Sequence, residues 1–183
     1  MLFSPVPIVD LRCPPASWLG WGSHIVENAA VCLDRHGHRS GVMLQVEKME
    51  FPGSDDGGER VLALELPLLV PDVSQAMRDL YRNLQALTEQ GAYAVALGTV
   101  LVLEGYEHCM GGRIGEGFDF LLRGGPIPEV RLEVSGILQA ESDRAISRLR
   151  EKLRQVNSYE SPTPAYAAVV EFSRPRLVLG CAK

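Results

Sequence analysis

Cysteine and aromatic residues are scarce in this chain of 183 residues, which has four Cys, five Phe, five Tyr and two Trp. Cys13, Cys32, Cys109 and Cys181 include no Cys-x-x-Cys pair, so they are expected to be reduced thiols of a cytoplasmic protein, not a disulfide framework. The opening MLFSPVPIVD lacks the basic and apolar regions of a secretion signal. The longest apolar run, Ala92 to Leu103, is shorter than the ~20 residues a membrane span needs, so no membrane is expected. The glycine-rich GGRIGEG has no Lys-Ser/Thr to hold a nucleotide phosphate and does not open a helix. The four histidines sit at expected loops or helix ends, in no Ser or Cys hydrolase setting. Repeats and low-complexity tracts are absent as well.

Charge is present but unevenly spread. Residues 1–104 hold 7 basic against 13 acidic residues, whereas residues 105–183 hold 11 against 10. A nucleic-acid backbone rewards clustered Lys and Arg, so DNA or RNA contact is expected of the C-terminal half. The acidic N-terminal half is expected to meet a protein partner or a second copy of the chain.

Residues 1–22 form an expected irregular arm. Ser23 is placed to cap a helix running to about His36, with Ile25, Val26, Ala29, Ala30 and Leu33 inward and Gly37 as its stop. Cys32, His36 and His38 lack a fourth ligand at usable spacing, so a helix end outweighs a metal site there. Alternation at Val42, Leu44, Val46 and at Leu62, Leu64, Leu66, Leu68 predicts a β-hairpin around the polar FPGSDDGGE. Asp72 and Gln75 resemble a capping box opening a stripe of Val73, Met77, Leu80, Leu84 and Leu87. Thr88 is a candidate cap for a buried helix to about Leu103, whose β-branched end could instead be a strand. Three short strands follow, then an amphipathic helix over Glu141–Asn157, a strand over Ala165–Phe172, and a tail that could add an edge strand. The expected class is α/β (α+β by stricter usage), a mixed sheet flanked by helices. The expected division is residues 1–72 as an extension of arm, helix and hairpin, and 73–183 as an α/β core.

Two acids interrupt the apolar strands. Asp119 lies within Phe118–Leu122 and Glu133 within Val130–Ile137. A carboxylate in a buried strand is costly without a cation or hydrogen bonds to compensate it. Either a site or an ionic patch with Arg123 and Arg131 satisfies that requirement. Arg144, Arg148 and Lys152, spaced by four, form a basic row suited to phosphate.

From Thr88 the order helix, three strands, helix, strand, with an acid on the first helix, an Asp on the second strand and a Glu on the third, resembles the PD-(D/E)XK (restriction-endonuclease-like) nuclease superfamily. The resemblance covers roughly residues 88–173, and GEGFDFLL and RLEVSGI are also similar to runs in small bacterial proteins. It implies a Mg²⁺- or Mn²⁺-dependent endonuclease, with Asp119 and Glu133 as metal-binding acids, Val134 giving its carbonyl and Glu89 as the accessory acid. Ser135 stands where the superfamily's catalytic lysine belongs, which implies either a migrated cationic group or lost catalysis. Arg131, on the strand face of Glu133 and Ser135, is one candidate for that group. Lys152 and Arg148 are others. The alternative is a non-catalytic interaction subunit of a larger bacterial complex.

Overall fold

The computed structural model describes residues 7–15, 18, 22–50, 60–81, 83–112, 116–139, 144–158 and 161–182. Among them, eight strands form a single mixed sheet, accompanied by four helices. In chain order the elements are β1 (Val9–Asp10), α1 (Gly22–Asp34), β2 (Val42–Glu50), β3 (Arg60–Leu69), α2 (Gln75–Leu80) and α3 (Leu84–Glu104), followed by β4 (His108–Gly111), β5 (Phe120–Arg123), β6 (Glu129–Ile137), α4 (Arg144–Asn157), β7 (Ala165–Glu171) and β8 (Arg176–Ala182). The sheet order is β1-β3-β2-β8-β7-β6-β5-β4. The α/β class expected from the sequence is therefore correct. The run α3-β4-β5-β6-α4-β7 follows the expected order, with α4 crossing between the parallel pair β6 and β7.

Strand alternation divides the core between the two sheet faces. Val130, Leu132 and Val134 of β6 lie with Leu87, Val95 and Leu97 of α3 and the buried face of α1. On the other face, Ile137, Ala165, Ala167 and Val169 lie under Ala145, Leu149, Leu153 and Val156 of α4. The helix face anticipated for α1 is buried, and in α4 the apolar spacing of Ala145, Leu149, Leu153 and Val156 marks the buried face. The hairpin β2–β3 is also present, paired from Val42↔Leu68 to Glu50↔Arg60. Its expected turn lies outside the described residues, as do 141–143 at the expected start of α4.

Several local expectations change. The C-terminal tail is not an edge strand: β8 lies in the sheet interior, antiparallel to β7 and parallel to β2. Its Leu177, Val178 and Leu179 are fully buried, which a buried central strand tolerates and an edge does not require. The arm contributes β1, whose Val9 and Asp10 pair with Leu68 and Leu69. Helix α1 starts at Gly22, one residue ahead of the proposed Ser23 cap. Ser74, not Asp72, caps α2 by accepting from the Met77 amide. The expected continuous stripe breaks because Asn83 caps a new helix, accepting from the Ala86 amide. Leu80 and Leu84 flank that break and are 72% and 44% exposed. Thr88 is thus inside α3, its hydroxyl donating to the Leu84 carbonyl. Helix α3 continues to Glu104, so its β-branched end is no strand, and Gly105 closes it in the left-handed region. By length and composition α3 could cross a bilayer, but most of its apolar stretch is buried within this fold. Cys32 is buried, its thiol on the Leu87 carbonyl, and His38 contacts the Ser173 carbonyl.

Helix α3 crosses β6 closely at Gly136, where an added Cβ would lie 2.4 Å from the Thr88 carbonyl oxygen. Backbone must move to admit it. Gly136→Ala is expected to lower stability by about 1–3 kcal/mol in urea unfolding. Gly111→Ala, with open space around it, should stay within about 0.5 kcal/mol of the parent. Equal stability of the two variants would contradict this packing.

Candidate functional site

Strand β5 pairs with β6 only from Phe120↔Leu132 to Arg123↔Glu129, while β6 runs on to Ile137. Beyond Leu132 one edge of β6 therefore has no strand partner among the described residues. Asp119, just ahead of β5, donates its own amide to the Leu132 carbonyl and then turns its side chain along the open edge. Its Oδ2 accepts from the Val134 amide at 2.8 Å, replacing the ladder bond that a longer β5 would have made. An amide and carbonyl of one strand residue point to the same side, so the Val134 carbonyl lies on this edge too.

The register sets Asp119 one step beyond the Phe120↔Leu132 pair, opposite Glu133. Glu133 is buried beneath α4, where Lys152 Nζ lies 2.5 Å from its Oε1 and Gln155 Nε2 donates to the same oxygen at 3.3 Å. The Asp119 Oδ1 accepts from the Tyr93 hydroxyl at 3.1 Å. That hydroxyl also lies 3.0 Å from Glu89 Oε1, one turn earlier on α3. With a single proton it can donate to one acid at a time. Burial and these two carboxylates push Tyr93 ionisation well above the ordinary tyrosine range, so the proton stays. An edge-on contact with Phe120, ring centres 5.1 Å apart, fixes the Tyr93 ring.

Asp119, Glu133 and Lys152 thus come together, and Glu89 joins them through Tyr93. The expected meeting of Glu89, Asp119 and Glu133 on one cation takes a different form. Among the described residues no three of His, Cys, Asp and Glu form a cation cage. Tyr93 stands between the exposed Glu89 and Asp119, and Lys152 occupies Glu133. Arg131 is drawn away from the site, its Nε and Nη2 donating to the Thr163 carbonyl at 3.1 and 2.9 Å. Arg123 pairs with Glu129 at 2.6 Å, so neither arginine of the anticipated ionic patch neutralises these acids. Ser135 is buried and accepts from Arg148 Nε at 3.2 Å. Arg144 and Arg148 are exposed, but Lys152 is largely covered, so the basic row is split between a surface pair and an internal cation.

A cleft of about 490 Å³ opens where β6 loses its partner. Thr88 and Glu89 of α3 form one wall, Arg148 and Lys152 of α4 the other, and Val134 to Gly136 the floor. Tyr93 and Gln155 are the members that sequence reasoning missed. Tyr93 was accessible to it: Glu89 and Tyr93 are four apart on one helix and must face the same way. Gln155, three residues after Lys152, offered the same signal.

Burial, then the charge on Glu133, raise the Asp119 carboxyl from an ordinary 3.8 to about 6, against the pull of the Val134 amide, Tyr93 and Lys152. Between those values the folded chain binds more protons than the unfolded one, so stability falls as pH rises through that window. Asp119→Asn removes this titration while its side-chain oxygen can keep the Val134 bond. From pH ~4 to ~6 the parent should lose on the order of 2 kcal/mol more than Asp119→Asn in urea unfolding. Parallel pH profiles would mean that Asp119 ionises normally. Compared with protein-family models, curated proteins and solved structures, the chain matches none.

Proposed function

We propose that this chain is a nuclease-like protein that binds nucleic acid at the α3–α4 cleft, with Lys152 supplying the positive charge that Ser135 does not. The observation that carries this reading is the Lys152 ammonium on Glu133, the residue opposite Asp119, at the cleft wall. A lysine from the following helix thereby reaches the acid of the third strand, the place where the nuclease-like pattern needs a cation.

A hard cation could enter here only by displacing Lys152 from Glu133 and Tyr93 from Asp119. Asp119 and Glu133 supply carboxylates from adjacent positions, and burial first, then the charge on Glu133, raise the proton affinity of Asp119, both of which a divalent ion would offset. Magnesium commonly takes one or two protein carboxylates and completes its shell with water and phosphate. Asp119, Glu133 and the Val134 carbonyl would hold it, and Glu89 would act through Tyr93. When bound, such an ion supplies Lewis-acid stabilisation of phosphodiester charge. The chain's own groups do the rest. Arg144 and Arg148 hold the backbone phosphates electrostatically. Lys152 fixes Glu133 and presents its ammonium beside the cleft. Tyr93 keeps its proton and orients Asp119.

A second reading has its own observation. The acids are already satisfied by protein partners, while Val61 and Leu62 on β3 are 53% and 62% exposed. A cluster whose only role is to close the sheet edge would belong to a non-catalytic interaction subunit, with β3 meeting its partner.

Cleavage of end-labelled DNA and RNA in Mg²⁺ or Mn²⁺ separates the readings. Under the nuclease-like reading, Asp119→Ala abolishes cleavage and Lys152→Ala lowers it by about 100-fold or more. Adding Ser135→Lys to Lys152→Ala should restore part of it, since the cation returns to the same acid. Circular dichroism must find each variant folded, because removing Lys152 leaves a buried carboxylate at a cost of about 3–5 kcal/mol. A further readout needs no turnover. Mg²⁺ should raise the melting temperature of the parent but not of Asp119→Asn. Absence of both cleavage and the Mg²⁺ shift favours the interaction subunit.

A further inference from the structure

We infer that the α3–α4 cleft takes one unpaired nucleotide of a single-stranded nucleic acid, with its phosphate on the α4 wall and its base against the α3 wall. This rests on the nuclease-like reading above and narrows its substrate. Three observations carry it.

The first is size. A cleft of about 490 Å³ falls within the ~300–1,000 Å³ range of sites that enclose one small molecule, the scale of a nucleotide. A duplex offers a major groove about 12 Å wide and two backbones, and its paired bases cannot enter such a space.

The second is the chemical asymmetry of the walls. The cations Arg148 and Lys152 stand on α4, each in an ion pair, Arg148 with Glu151 at 3.0 Å and Lys152 with Glu133, so that a phosphate would meet Arg148 in place of Glu151; the α3 wall offers Leu84, the Gln85 amide and the acidic Glu89. A phosphate is repelled by Glu89 and drawn to α4, which sets the strand's direction across the cleft. Leu84 is 44% exposed at the lip, and Leu138 is partly buried at the far end of the floor. Apolar surface at that position has no use for a backbone phosphate, but it can lie against the face of an unstacked base. Gln85, with one donor and one acceptor group, matches a base edge.

The third is the floor. The edge of β6 from Val134 onward lacks a strand partner among the described residues; Asp119 takes the Val134 amide, and the Val134 carbonyl on the same edge can accept from a base-edge amino group or a sugar hydroxyl. In paired nucleic acid those base edges are already occupied. In a single strand they are open.

The test is fluorescence anisotropy of the full chain in EDTA, so that no strand is cut. The probes are a labelled single strand, as DNA and as RNA, and the duplex of the same sequence. The single strand is expected to bind about tenfold or more tightly than the duplex. Leu84→Ala and Gln85→Ala should each weaken single-strand binding about fivefold or more, without changing its salt dependence. Arg148→Ala should instead reduce the slope against log salt by about one. Equal or tighter binding of the duplex overturns the inference, as does unchanged affinity in both α3 variants. So does a free mononucleotide that competes as well as the strand, since the cleft then needs no polymer. If no nucleic acid binds but Mg²⁺ still raises the melting temperature through Asp119, this inference fails and the cation site survives. If neither occurs, the nuclease-like reading fails with it.

Discussion

The site exists because β5 is shorter than β6. Where β5 ends, β6 continues with a row of backbone groups that must find partners, and the Asp119 carboxylate takes the first of them at Val134. Bringing an acid to that edge sets it opposite Glu133, and two carboxylates side by side under two helices call for a counter-charge. Lys152 supplies it from α4. Shortening one strand thus produces the acid pair, the internal cation and the cleft together.

Much of this was legible in the sequence, for identifiable reasons. Asp119 and Glu133 stood out because apolar strands rarely carry acids, and their common neighbourhood followed from the hairpin between them. The helix faces of α1 and α4 were legible from spacing. The partner of Glu133 was not. Arg131 shares its strand face and looked equally available, but a backbone carbonyl at Thr163 captures it, a contact set by a loop that no periodicity encodes. Lys152 lies nineteen residues away, and only the crossover of α4 brings it back. The break between α2 and α3 was hidden because Leu80 and Leu84 keep a helical spacing across Asn83, whose cap ends the stripe. Tyr93 passed for core because it is aromatic and sits in an apolar helix, although its hydroxyl required a polar neighbour.

The two faces of the sheet have different tasks. On the α1–α3 side large apolar side chains fill the core, and the close approach of α3 at Gly136 holds Glu89 and Tyr93 at the height of Asp119. On the other side α4 covers small residues, Ala165, Ala167 and Val169, so the helix sits low enough for Lys152 to reach Glu133. Larger residues at those β7 positions would lift the ammonium from the acid. Packing therefore sets the electrostatics of the cleft without contributing a charge to it.

The interior position of β8 has a consequence for how the chain assembles. Strands β2 and β3 come early in the chain but join the rest of the sheet only through β8, which follows every other strand described here. Until β8 is made, the β2 edge and the β7 edge that it will cover both stand open, with their backbone groups unpaired. Closure links residues such as Glu47 and Arg176, whose 2.7 Å ion pair joins positions 129 residues apart. Contacts of that separation slow folding and leave strand edges exposed while the chain waits. The element that completes the sheet is thus also the one that ends its period of greatest vulnerability to pairing with other chains.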